Sequence, residues 1–452
     1  MLSRRLELAL SRLVLSRRLR RAVPPAVPAI LRRLSESGYG AVLVGGCVRD
    51  LLLGRVPKDW DLAAEASCEA ILSVFPAGRV MGVARGTQTV LLVRDHVPYE
   101  VTPFRGATLA EDLARRDFTV NAMALDPDGK LIDPLGGRRD LARGLLRGCG
   151  DPRERLDEDP LRMLRAVRLA AQLNFALDPD LVRAMAAMAP RLAGVAPERI
   201  GMEFGRLLVT DRPAWGLERL RELGLLARFA PELLEGVGVE QNQYHAFTVW
   251  EHTLLALALV PPELHLRLAA LLHDVAKPRC LSVDSLGNRH FYRHELVGAD
   301  VADALLERLR FDGESRKKAV HLVRYHMDLF GDGSMGDAAV RRMIRRVGRE
   351  HMPDLLELRR ADRLASGTRK GDLSPETVAL LAQVERVLKA DAALRVADLS
   401  VDGDDVVRAF GRPPGPYVGE VLQQLLEEVT QEPALNDRLT LLARLAELAD
   451  LW

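Results

Sequence analysis

Every stretch of this chain that reads as a strand falls within residues 24–150, and from about residue 151 onward the apolar residues recur with a period near 3.6. That change of period restricts the fold more than any other feature. Strands gathered at one end and helices at the other make an α+β protein, with a small mixed sheet in an N-terminal head followed by all-α segments. At 452 residues the chain exceeds one ordinary core, so three or four domains are expected.

Within the head, YGAVLVGG (39–46) reads as a buried strand ending in glycines, and CVRDLLLGR (47–55) as a helix. DWDLAAEA (59–66) opens as a strand. TQTVLLVRD (87–95) and VPYEVTPF (97–104) read as a hairpin turning at Asp95-His96. Beyond it, helices are expected over 158–173, 178–190, 197–209, 214–226, 247–259, 263–276, 293–309, 315–327, 337–347, 352–365 and 375–389.

A net charge of +1 gives no global basic signature, so any nucleic-acid contact must come from a local basic face. The helices carrying RKK (316–318) and RRMIRRVGR (341–349) offer such faces. The first 23 residues hold Arg4, Arg5, Arg17, Arg18, Arg20 and Arg21, with Glu7 and Arg12 interrupting the apolar stretch. That is a basic amphipathic helix rather than a signal peptide. Cys47, Cys68, Cys149 and Cys280 form no CxxC pair, so a reducing, cytoplasmic setting is expected, and no apolar run approaches a membrane span.

The chemistry is concentrated in LVGGCVRDLLLGRVPKDWDLA (43–63). Gly45 and Gly46 let the backbone approach a ligand, and free N–H groups at a helix start favour phosphate. Thirteen residues after Gly46 come Asp59 and, two further on, Asp61. In a strand such residues share a face, and paired carboxylates are hard ligands for Mg²⁺. Further on, Glu158, Asp159, Arg162, Arg165 and Arg168 fall at helical spacings. They form either a salt-bridged solvated stripe or a base-reading face.

The segment GG-x-VRD-x-LLGR-x-x-KDWDLA resembles the catalytic signature of the class II tRNA nucleotidyltransferases and the related bacterial poly(A) polymerases. ARRDFTVNAMA (114–124), DPLGGRRDL (133–141), RLDEDPLRMLRAVRLAAQLNF (155–175) and PERIGMEFGRLL (197–208) resemble that family's later blocks, in order. The resemblance implies a nucleotidyltransferase head in which Asp59 and Asp61 hold Mg²⁺, with Glu100 as a third acidic neighbour. It implies a nucleotide site built from Gly45, Gly46 and Arg49, with Arg116 and Asp117 near the sugar and Asn121 toward the triphosphate. Glu158, Asp159 and Arg162, with Arg165 and Arg168 beyond, would read CTP or ATP. The expected partners are tRNA and CTP, with ATP the alternative nucleotide.

One segment departs from the family. Members that add all of CCA carry a flexible polar loop before RRDFT. In VTPFRGATLAEDLARRDFT (101–119) only nine residues separate Arg105 from Arg115. Switching one pocket from C to A needs a second arrangement of its side chains. The resemblance therefore implies a CC-adding enzyme, with a separate A-adding enzyme acting on the same tRNA. The alternatives are a full CCA-adding or A-adding enzyme, a poly(A) polymerase, and a phosphohydrolase whose head only binds RNA.

A second constellation occupies the helical half: His252, His273-Asp274, His294, His326 and Asp362. Imidazoles and carboxylates together suit a divalent transition metal. His252, His273, Asp274 and Asp362 match the HD phosphohydrolase pattern, and His294 and His326 complete a second metal position. The expected organisation is a basic helix over 1–23, the head over 24–150, a nucleotide-selecting neck over 151–240, an HD domain over 241–370 and a helical tail over 371–452.

Overall fold

The structure, a computed structural model, describes residues 23–82, 88–329, 335–367, 373–390 and 395–451. The basic helix expected over 1–23 lies, apart from Val23, outside these residues. The chain divides into two compact units, Met1–Phe229 and Ala230–Trp452. It is an α+β protein whose large sheet lies in the first unit.

That sheet contains β1 (Ala41–Val44), β2 (Trp60–Ala64), β3 (Arg79–Gly82), β4 (Gln88–Arg94), β5 (Val97–Pro103), β6 (Ala124–Leu125) and β7 (Leu131–Ile132). Their spatial order is β3-β4-β5-β2-β1-β6-β7. Only β2 and β5 pair in parallel, and their register sets Asp61 beside Glu100. The period-2 alternation of β1 explains why both faces are covered. Ala41 and Leu43 pack with Ile30, Leu31 and Leu34 of the helix Ala26–Glu36. Val42 and Val44 pack on the other side with Leu113, Ala122 and Ala124. The β4–β5 hairpin turns at Asp95 and His96, both left-handed (φ 50° and 63°), which suits the right-handed twist of the flanking strands.

The expected helices form within a few residues of their predicted bounds, with one consequential exception. The span 158–173 is not one helix. Pro152–Glu158 ends, Asp159 is extended (φ −153°, ψ 96°), and a new helix runs Arg162–Leu173. Pro160 is the cause: the residue before a proline is disfavoured in the α region.

In the second unit, Thr248 and Glu251 form a capping box at the start of Val249–Leu259. Helices Leu264–Leu272, Asp337–Val347, Met352–Ala365 and Pro375–Lys389 contribute to one core. The tail helices Gly403–Phe410, Pro416–Gln431 and Arg438–Leu451 enclose another. The basic face expected at 341–349 is largely paired: Arg342 and Arg345 bind Glu427, and Arg346 binds Asp328. Among the described residues no helix is long and apolar enough to cross a membrane.

Candidate active sites

In the first unit, β1 ends in a turn that only glycine makes cheaply. Gly45 has φ 86°, and a Cβ there would lie 3.1 Å from Arg116 Nη1 and 3.3 Å from Asp61 Oδ2. The bare backbone thus leaves room beside the Asp61 carboxylate. Gly45→Ala should destabilise the head by roughly 1–2 kcal/mol through its positive φ. It should cost more in nucleotide binding than in folding, since the new methyl displaces both Arg116 and Asp61. Comparing melting temperature with nucleotide affinity separates the two effects.

Asp61 is half-buried at the start of β2, Glu100 is its in-register neighbour on β5, and Asp59 is exposed just before the strand. Burial, then Glu100, and also Asp59, push the Asp61 carboxyl up to about 6 against the pull of Arg116 and Arg105. Three crowded carboxyl groups beside an open backbone turn fit hard divalent cations. Any ion bound there relieves the repulsion that raises Asp61.

Gly45 and Asp61 border a cavity of about 1420 Å³. Of the residues predicted for the nucleotide, Gly45, Gly46, Arg116, Asp117, Asn121, Glu158, Arg162 and Arg165 line it. Arg49, Asp159 and Arg168 are not among the lining residues, nor are Asp59 and Glu100. Arg49 instead holds the wall: its Nη1 donates to Asn121 Oδ1 at 2.7 Å, and Asn121 Nδ2 donates to Asp117 Oδ1 at 3.1 Å. Burial pushes the Asp117 carboxyl up, but Arg165, Asn121 and the Phe118 N–H outweigh it and keep it below the ordinary carboxylate range.

The break at Asp159 separates residues that helical spacing had put on one face. Asp159 is buried, accepts from Leu161 N at 3.2 Å, and is bound by Arg199 Nη2 at 3.2 and 3.3 Å. Glu158 remains with Arg162, Nη1 to Oε2 at 2.9 Å, and Arg162 also donates to the carbonyls of Arg155 and Arg115. Arg168 is held by Glu203 at 2.6 Å. Arg105, Arg115, Arg199 and Arg206 also line the cavity and were not singled out from the sequence. With Arg116, Arg162 and Arg165 they give the lining seven arginines against Asp61, Glu69, Asp117, Glu158 and Glu203, an excess of cationic donors suited to a triphosphate.

The short stretch before RRDFT is fully folded. Thr108 caps the helix Leu109–Ala114, the Arg105 N–H donates to Asp112 Oδ1 at 3.1 Å, and Arg115 Nη1 donates back to the Arg105 carbonyl. Residues 105–108 form a bend tied to that helix, with the Ala107 N–H also donating to Glu111 Oε2 at 2.9 Å.

The second unit brings all six predicted metal-ligating residues together. His252 Nε2 lies 3.2 Å from His273 Nε2, 3.4 Å from Asp274 Oδ2 and 3.2 Å from Asp362 Oδ1. His294 Nε2 lies 3.1 Å from His326 Nε2 and 3.3 Å from Asp274 Oδ1. Asp274 thus joins the two groups through its two oxygens. The Nδ1 atoms of His273, His294 and His326 face the carbonyls of Ala270, Phe291 and Val323 at 2.7–2.8 Å. A carbonyl only accepts, so Nδ1 carries a proton in each of these rings and Nε2 is the atom turned inward. With these Nε2 atoms and carboxylate oxygens turned toward one another, the donor set fits a divalent transition metal. Burial opposes ionisation of Asp274, but His273 and Lys277 hold its carboxyl well below the usual range. The Lys277 ammonium is 2.7 Å from Asp274 Oδ2. His245, absent from the sequence prediction, also approaches His252 and Asp362. Its place on the loop ahead of Val249–Leu259 gave no periodic signal.

Comparisons with known proteins match stretches of both units. The family described as Poly A polymerase head domain matches residues 41–147. The probable RNA and SrmB-binding site of polymerase A matches 174–236, and the HD domain matches 243–367. The A-adding tRNA nucleotidyltransferase of Deinococcus radiodurans is 40% identical over 411 residues, spanning 86% of this chain and 91% of that protein. The CC-adding tRNA nucleotidyltransferase of Thermus thermophilus is 40% identical over 403 residues, spanning 85% and 88%. The crystal structure of the Bacillus stearothermophilus CCA-adding enzyme in complex with CTP superimposes with a TM-score of 0.71 at 29% identity, covering 95% of this chain and 99% of that one.

Proposed function

The chain belongs to the tRNA nucleotidyltransferases of the CCA-adding family, and we propose that this member adds only the two cytidines, from CTP. The tRNA 3′-hydroxyl attacks the α-phosphate of CTP and pyrophosphate leaves. Asp59 and Asp61, with Glu100 beside them, would hold Mg²⁺, which would supply activation of the hydroxyl and stabilisation of the leaving pyrophosphate. Arg116, Arg165 and their cationic neighbours orient the triphosphate, and the wall Arg49–Asn121–Asp117 fixes the sugar end. Glu158 and Arg162 present the base-reading edge, and Asp159 joins them after release from Arg199.

The observation that carries the CC-only reading is the closed segment from Arg105 to Arg115. Identity does not separate the readings, because an A-adding and a CC-adding relative are each 40% identical. Changing specificity within one pocket requires a movable element, and this segment is stitched at both ends. Terminal A would come from a separate enzyme on the same tRNA. The test is extension of tRNA lacking CCA with CTP and ATP supplied together. Two additions followed by a stop support the proposal, while long tails on unstructured RNA with ATP would favour a poly(A) polymerase.

The histidine–aspartate cluster supports a second activity, metal-dependent phosphate-ester hydrolysis, on the inward Nε2 atoms and shared Asp274. We assign the head to 24–150, the neck to 151–240, the HD domain to 241–370 and the tail to 371–452. A reducing, cytoplasmic setting suits both a tRNA substrate and the free cysteines.

A further inference from the structure

We propose that His245 is an additional ligand of the histidine–aspartate metal centre, closing it at the His252/Asp362 end around a divalent first-row transition ion. The inference rests on reading the cluster as a metal centre. His245, His252 and Asp362 each offer a donor atom, and the three lie within 4.8 Å of one another. The His245 and His252 rings stand 5.1 Å apart at 85°.

The orientation of His245 is set as in the other three anchored histidines. Its Nδ1 lies 3.0 Å from Asn242 Oδ1. That oxygen also accepts from the Tyr244 N–H at 3.2 Å, which fixes the amide with its oxygen toward the ring. Nδ1 therefore carries the proton, and Nε2 is left as a lone pair, the state a metal requires.

The loop that carries His245 is built onto the elements that carry the other ligands. The Ala246 N–H donates to the Ser366 carbonyl at 2.8 Å, at the end of the helix bearing Asp362. Phe247 packs where a Cβ on Gly367 would lie 2.2 Å from its ring. Gln241 donates to the Phe247 carbonyl and accepts from Lys277, which in turn contacts Asp274. A ring held this firmly beside two ligands is pre-organised to be a third. Adding it makes the centre richer in nitrogen, which favours cobalt, nickel, zinc or iron over magnesium.

The experiment is calorimetric titration of the metal-free full-length protein with Co²⁺ or Mn²⁺, comparing the parent with His245→Ala and the bulkier His245→Gln. Both variants should bind one ion about 10- to 100-fold more weakly, with a changed Co²⁺ visible spectrum. Their metal-free melting should match the parent, and metal should stabilise them less. Isotherms and spectra that superimpose on the parent's would overturn the role of His245 alone. A parent that takes up no transition ion would overturn the metal-centre reading as well.

Discussion

Asp61→Asn is expected to lower nucleotide transfer by at least ~10³-fold while making the metal-free head more stable near neutral pH. The two effects share one cause. Burial and the neighbours Glu100 and Asp59 raise Asp61 from 3.8 to about 6. An acid raised in the folded state favours folding below its ordinary value, and that advantage is lost as pH rises through the raised one. Near neutrality the folded protein therefore holds Asp61 ionised at a cost on the order of 2 kcal/mol after allowance for its partial exposure. Asn removes the cost together with the metal ligand that the proposed mechanism needs. Melting curves in EDTA should place the variant above the parent near neutrality, and the gap should close as pH falls below 3.8, where both side chains are neutral. Transfer within tenfold of the parent would show that Asp61 does not hold the reacting metal.

Substituting His273 with Ala should have an equally large effect in the other unit and none on transfer. His273 Nε2 lies 3.2 Å from both His252 Nε2 and Asp274 Oδ2, so its loss opens the centre of the donor set. Transition-metal affinity and metal-dependent phosphodiesterase turnover should fall at least ~100-fold. In the parent, an ion at a hundred times its Kd should stabilise the fold by about 2.7 kcal/mol. The variant should show almost none of that shift. CMP transfer to tRNA should stay within about twofold, since the substitution lies outside the first unit. A joint loss of transfer and metal binding would instead make the cluster a structural support of the whole enzyme.

Much of this was legible from local chemistry. The glycine turn after β1 and the Asp95-His96 turn follow from backbone rules that act over a few residues. The helical spans follow from apolar period, and metal-ligating side chains are recognisable by type. The break at Asp159 was also legible, because Pro160 follows it, but the spacing of charges along 158–168 outweighed that signal. What the sequence hid depends on contacts far apart in the chain. Arg199 binds Asp159 from 40 residues away, and no local pattern predicts which arginine does so. β3 is exposed along its length and lacks the alternation that marks a half-buried strand. The hairpin Leu281–Val283 with Arg289–Phe291 is too short and polar to stand out. His245 is invisible for the same reason: only the folded loop brings it to His252 and Asp362.

The CC-only specificity is tested most directly by giving the enzyme tRNA that already ends in CC, with ATP as the only nucleotide. With the segment from Arg105 to Arg115 closed, the pocket should stay in its C-selecting arrangement, and A addition should be at least ~100-fold slower than CMP addition to tRNA lacking CCA. Terminal A incorporation at a rate comparable to cytidine addition would contradict that specificity and make this a CCA- or A-adding enzyme.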